Sequence, residues 1–168
     1  MGAVIALREH PRDAWEDALI AAGGPVAGSL GAGAVAIAAH ATDSQLLYAL
    51  ADFGFLINLF NLLPIGSMDG GRWVGALSKY VGLVGTGLGG YIAYTGLVHN
   101  PLFYLIWLAG GYETFQRFTN PAHLPPNSYK ITNMQRAALT AGYFGLVVVL
   151  LAAMDANHRR QKSPEALI

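Results

Sequence analysis

The chain has 168 residues, about the size of one domain, of which 54% are hydrophobic and 12% charged, against roughly a quarter charged in ordinary soluble proteins. Its formal net charge is zero, which argues against a nucleic-acid partner. It has no cysteine, so disulfides and thiolate chemistry are excluded. In chain order, residues 1–17 are predicted to form a short strand followed by a polar interfacial segment. No cleavable signal peptide is visible, because the apolar run MGAVIAL is too short.

Five apolar segments follow, and about 20 apolar residues are needed to cross ~30 Å of hydrocarbon. Four of them are long enough: Ala18–Ala39, Leu46–Pro64, Val81–Val98 and Ala137–Met154. The fifth, Pro101–Gly111, is short, and is either a tilted span extended by its flanks or a re-entrant piece. The sequence therefore predicts an all-α polytopic membrane protein, a bundle of four to five transmembrane helices with a short N-terminal strand. The alternative is a soluble protein with buried helices, which seldom run free of charge for so long.

We interpret residues 1–168 as a single membrane-embedded domain. Residues 18–112 form its core spans, 113–136 a polar loop, 137–154 the last span and 155–168 a tail. The positions of Lys and Arg place residues 65–80 in the cytoplasm. Five spans would then put the basic tail outside. Either Pro101–Gly111 does not span, which moves the conflict to the 113–136 loop, or the tail breaks the positive-inside rule. Glycines four residues apart, at 24 and 28 and again at 85 and 89, predict close helix packing.

Residues 58–73, NLFNLLPIGSMDGGRW, place polar groups within an apolar run. Asp69 follows Pro64, which cannot continue a regular helix. Irregular backbone and an ionisable group beside a membrane span usually line a cavity. The sequence therefore predicts a carboxylate in a water-accessible pocket near the membrane face. Asn58 and Asn61 lie three residues apart on one helix face, about one turn deeper.

The run Asn61-Leu-Leu-Pro64, followed by Met68-Asp69-Gly70-Gly71-Arg72, resembles the second signature of the site-2 proteases, which are intramembrane zinc metalloproteases. Their pattern is Asn-x-x-Pro and then Leu-Asp-Gly, with the same spacing of eight positions from asparagine to aspartate; Met68 replaces the usual leucine. Residues 11–32 and the C-terminal region are also similar to bacterial members, so the resemblance covers nearly the whole chain.

The resemblance implies a peptidase-like domain with Asp69 as the third zinc ligand, where a carboxylate oxygen suits the metal. It implies that Asn61 positions the substrate or stabilises the oxyanion. The substrate would be a membrane-anchored protein, and the location the bacterial cytoplasmic (inner) membrane.

The family's other signature, His-Glu-x-x-His, supplies two zinc ligands and the general base, and it is absent. The chain has five histidines, no two of them four residues apart. We therefore expect a domain truncated at its N-terminus that binds zinc weakly or not at all and is inactive as given. A wrong start codon, a gene fragment and a decayed paralogue all remain open. The alternative function is a non-catalytic membrane module, a pseudoprotease that binds a partner without cutting it.

Overall fold

The structure is a computed structural model that describes residues 11–162 except 67, 79, 97, 98, 100 and 121–129. This part of the chain is all-helical and contains no strand. The predicted N-terminal strand lies outside the described residues. The six helices are α1 (Ala14–Thr42), α2 (Gln45–Asn61), α3 (Asp69–Gly75), α4 (Val81–Thr95), α5 (Pro101–Thr119) and α6 (Asn133–Lys162).

Helix α1 begins earlier than the predicted span, because a local capping arrangement starts it at Ala14. Asp13 adopts an extended backbone conformation, and its carboxylate accepts a 2.9 Å hydrogen bond from the Glu16 N–H. The Glu16 carboxylate in turn accepts from the Arg12 N–H at 2.7 Å. This reciprocal cap satisfies backbone donors that the first helical turn leaves free. Residues 14–17, predicted as part of an interfacial segment, are therefore helical.

The main core lies between α1, α2, α3 and α6. Small residues on α1 allow close packing: a Cβ on Gly54 of α2 would lie 2.9 Å from the Ala32 Cβ. Phe55, Leu62 and Trp73 are almost completely buried in this core. The Trp73 indole N–H donates to the Leu139 carbonyl of α6 at 3.1 Å, which ties α3 to the start of the last helix.

Helices α4 and α5 form a hairpin that packs beside this core. A Cβ on Gly89 would lie 2.5 Å from the Trp107 ring, and the Trp107 indole N–H donates to the Thr86 carbonyl at 2.8 Å. A Cβ on Gly85 would lie 2.1 Å from the Pro64 carbonyl oxygen. The prediction of close packing is therefore confirmed for the pair Gly85 and Gly89. The α2–α3 linker, residues 62–68, lies where the hairpin meets the main core.

The predicted polar loop 113–136 is shorter than expected, which is a correction. Residues 113–119 continue α5 and residues 133–136 begin α6, so 120 and 130–132 are the described positions outside helices. Two polar side chains in this part of α5 have backbone partners, one within α5 and one in the α2–α3 linker. The Thr114 hydroxyl donates to the Gly110 carbonyl at 2.9 Å, and an Arg117 N–H donates to the Gly66 carbonyl at 3.3 Å.

Two described helices, Ala14–Thr42 and Asn133–Gln161, are long and apolar enough to cross a membrane. A helix of a soluble core would be mostly buried, whereas 28% and 17% of their apolar windows are buried here. Large apolar side chains cover their outer faces; Leu30 and Ile37 are 72% and 71% exposed. Helices α2 and α4 have 17 and 15 residues, and α5 carries Glu113 and Arg117. A total of four to five spans remains a prediction.

The direction of α6 decides where the basic tail lies in the bundle. Near its start, the Tyr143 hydroxyl donates to the Leu62 carbonyl at 2.5 Å. Near its end, the Asn157 amide donates to the Tyr48 carbonyl at 3.0 Å. Helix α6 therefore runs antiparallel to α2, and Arg159 and Arg160 lie at the end of the bundle opposite α3.

Candidate functional site

The linker 62–68 ends α2 and reverses the chain into α3. Leu62 still donates to Asn58 and Leu59 carbonyls at 3.1 and 3.2 Å, but Pro64 has no N–H with which to continue the helix. Gly66 has φ +55°, a conformation that residues with a Cβ rarely adopt. The break predicted from the sequence is thus a compact turn. This turn contacts α3, α4, α5 and α6.

Two glycines at the start of α3 let that helix fold back against the linker. A Cβ on Gly70 would lie 2.1 Å from the Leu62 carbonyl oxygen, and one on Gly71 would lie 2.4 Å from the Gly66 carbonyl oxygen. Both distances are far below a van der Waals contact, so any larger residue would push α3 away from the linker. The glycines of the motif therefore hold Asp69, the first residue of α3, in place.

Asp69 is half-buried and lies over the backbone of α1. Its Oδ2 is 2.8 Å from where a Cβ on Gly24 would stand. Burial raises the pKa of the Asp69 carboxyl above its usual value, and the Arg72 guanidinium partly offsets this by lowering it. Arg72 itself forms an ion pair with Asp17 of α1. The result is a partly desolvated carboxylate beside a clamp that joins α3 to α1.

Asn58 of α2 packs against the same face of α1 as Asp69. It is 7% exposed, and its amide N–H donates to the Gly54 carbonyl at 2.8 Å. A Cβ on Gly28, one turn from Gly24, would lie 2.3 Å from the Asn58 Oδ1. The structure therefore places the Asn58 amide against α1 at Gly28. The sequence singled out Asn58 but did not assign it a role. Asn61 is the half-buried last residue of α2.

The metal-binding potential of this region rests on Asp69. A carboxylate oxygen is a donor that zinc accepts, and a catalytic site takes three protein ligands. Among the described residues, no group of three or more His, Cys, Asp or Glu side chains could hold a metal ion. His40 Nδ1 lies 3.1 Å from the Tyr48 hydroxyl, at the far end of α1. The described residues therefore fit one zinc ligand and not a complete set.

A second polar cluster lies at the opposite end of the bundle. The Asn157 amide N–H groups donate to the Tyr48 carbonyl and, at 2.7 Å, to Asp52 Oδ1. His158 Nδ1 lies 2.8 Å from Asp52 Oδ2. Asn157 is 1% exposed, and its Oδ1 has no hydrogen-bond partner among the described residues. These contacts fasten α6 to α2 far from Asp69. Of these residues, Asp52 alone could have been found from the sequence, because it is an acid within the apolar segment Leu46–Pro64.

Comparisons with protein-family models, with curated proteins and with solved structures find no match.

Proposed function

We propose that this chain provides the third-ligand and substrate-positioning part of a zinc-dependent intramembrane endopeptidase similar to the site-2 proteases, which cuts membrane-anchored proteins. The observation that carries the proposal is the Asp69 carboxylate, half-buried at a helix break and pressed against α1 at Gly24. Desolvating an acid without a structural need is costly, and such groups cluster at functional sites. The ion pair that joins α3 to α1 is formed by Arg72 and Asp17 and does not include Asp69.

The proposal includes four or five spans in the bacterial inner membrane, with α3 on the cytoplasmic side. Two features support it. Arg12, Arg117 and Arg136 lie at the ends of α1, α5 and α6 that are near α3, as the positive-inside rule favours. The outward faces of α1 and α6 are apolar, as a lipid environment requires.

Within this proposal Asp69 would hold zinc through one carboxylate oxygen, and Asn61 would orient the substrate. The metal would supply Lewis acidity and an activated water. Because the described residues do not complete a ligand set, no catalytic step follows from this chain alone. The remaining ligands would have to come from outside the 168 residues, since the sequence contains no His-Glu-x-x-His.

That same absence favours a second candidate, a non-catalytic membrane module that binds a partner without cutting it. The two candidates differ in what Asp69 does. In the protease, Asp69 binds metal when the other ligands are present; in the module, it has no metal-dependent role.

The test compares the 168-residue chain with any longer reading frame that adds a His-Glu-x-x-His helix upstream. Both are purified in detergent, bound zinc is measured, and cleavage of a membrane-anchored reporter is followed. The short form should bind little zinc and cleave nothing, and the long form should cleave. Asp69→Ala in the long form should abolish cleavage, whereas Asp52→Ala, at the other end of the bundle, should not. Cleavage that survives Asp69→Ala would rule out the proposed role.

A further inference from the structure

The carbonyl of Leu62 loses its backbone partner where α2 ends. In a continuing helix it would accept a hydrogen bond from the N–H four residues later. Pro64 breaks the helix, and no backbone N–H of the described residues donates to this carbonyl. Leu62 is almost completely buried, and a buried carbonyl without a donor is costly. The missing hydrogen bond therefore has to come from another part of the chain.

Tyr143 of α6 supplies that hydrogen bond. Its hydroxyl donates to the Leu62 carbonyl at 2.5 Å, across 81 positions of sequence. Tyr143 is 8% exposed, and its ring packs edge-on against Trp73 of α3 with centroids 5.8 Å apart. The Trp73 indole N–H in turn donates to the carbonyl of Leu139, one turn earlier on α6. Tyr143 therefore contacts both sides of the helix break, the end of α2 through its hydroxyl and α3 through its ring.

The two residues of the proposed site lie on opposite sides of the same break. Asn61 is the last residue of α2 and Asp69 is the first of α3, so no continuous helix fixes their separation. Leu62 directly follows Asn61. Its carbonyl oxygen is also the atom that a Cβ on Gly70, directly after Asp69, would meet at 2.1 Å. The hydroxyl of Tyr143 therefore acts on a carbonyl that lies beside both site residues.

We propose that Tyr143 is a positioning residue, which holds the end of α2 against α3 and so sets the place of Asp69 on α1 and its separation from Asn61. The catalytic consequence rests on the proposed function, since a displacement of about 1 Å at a reacting group can cost on the order of a hundredfold in rate. The placement of Asp69 does not rest on it, because every contact named lies within the 168-residue chain.

A disulfide between α1 and α3 reports that placement directly. A Cβ on Gly24 would lie 3.6 Å from the Asp69 Cγ, which is near the position of the sulfur in Asp69→Cys. A disulfide can form there after a small adjustment. The chain has no native cysteine, so Gly24→Cys with Asp69→Cys introduces a single pair. The rate of its cross-linking by a mild oxidant is measured in detergent, well below the melting temperature of each variant.

Tyr143→Phe keeps the ring and its contact with Trp73 and removes the hydroxyl, and it should slow the cross-link severalfold. Tyr48→Phe is the matched control. Tyr48 is 2% exposed, and its hydroxyl lies 3.1 Å from His40 Nδ1 at the other end of the bundle. A buried, hydrogen-bonded hydroxyl is thus lost far from the break, and the rate should stay unchanged. An unchanged rate in Tyr143→Phe, or equal slowing in Tyr48→Phe, would overturn the proposal.

Trp73→Phe is the second variant, for use if Tyr143→Phe does not fold. It removes the donor to the Leu139 carbonyl and so loosens the same contact between α3 and α6. This variant should also slow the cross-link, and an unchanged rate would count against the proposal in the same way.

The catalytic consequence is measured in a longer reading frame that cleaves. Per folded molecule, Tyr143→Phe should lower kcat about tenfold or more and change KM by less than about threefold, whereas Tyr48→Phe should change neither. A kcat equal to that of the wild type would overturn this consequence. A longer form that cleaves nothing would refute the proposed function, and the cross-link would still decide whether Tyr143 positions Asp69.

Discussion

Replacing Gly70 by alanine should destabilise the protein although alanine is the better helix former. The new Cβ would lie 2.1 Å from the Leu62 carbonyl oxygen and 2.2 Å from its carbonyl carbon. Because these are backbone atoms of the linker, no side-chain rotation relieves the overlap, and α3 must move by roughly 1 Å. Overpacking of this kind costs about 1–3 kcal/mol, against a propensity gain of at most about 1 kcal/mol. We expect a net loss of about 1–2 kcal/mol.

The matched control is Gly31→Ala on α1, where an added Cβ has no neighbour within 4 Å. This variant should be neutral or stabilised by up to about 1 kcal/mol. Thermal unfolding in detergent, followed by circular dichroism, compares the two; about 2–4 °C per kcal/mol is expected for a chain of this size. If Gly70→Ala is as stable as Gly31→Ala, α3 does not pack on the linker as described. The position assigned to Asp69 would then be wrong as well.

Three further predictions concern charge, buried polarity and topology. The raised pKa of Asp69 means that the folded state binds its proton more tightly, so stability falls as pH rises above 3.8 through that pKa. Asp69→Asn should therefore stabilise the metal-free protein at pH 7, with a gain that shrinks on acidification; a melting-temperature profile against pH that shows no such change would contradict this. Asn157→Ala should cost about 1–3 kcal/mol in chemical unfolding, because one buried and one partly buried hydrogen bond are lost. The exposed pair of Asp155 with Arg159 should contribute under about 0.5 kcal/mol, so Asp155→Ala is its control. Since the chain has no native cysteine, single cysteines at 133 and 160 can be labelled selectively, and they should react from opposite sides of the membrane.

The helical class and the position of the main break could be predicted from the sequence. Long charge-free runs predict helices, and Pro64 with its neighbouring glycines predicts the turn, because both signals depend on residues close together in the chain. The glycine pairs likewise predicted close packing, although not the partners. Asp69 could be singled out because an acid beside an apolar segment is costly wherever it lies.

Other features depended on contacts between residues far apart in the chain. Residues 113–119 were predicted to be part of the polar loop, but they continue α5, and Arg117 there donates to the Gly66 carbonyl of the linker. The pairing of Asn157 with Asp52 joins residues more than a hundred positions apart.

By itself, then, the sequence determined that the chain is helical and apolar, and where an acid follows a helix break. Only the tertiary structure decided which side chains share a surface: Asn58 with Asp69 on α1, and Arg117 with the start of α4. The reason is physical. Periodicity and helix breakers act over a few residues, whereas the environment of a charge is set by whichever helices pack around it.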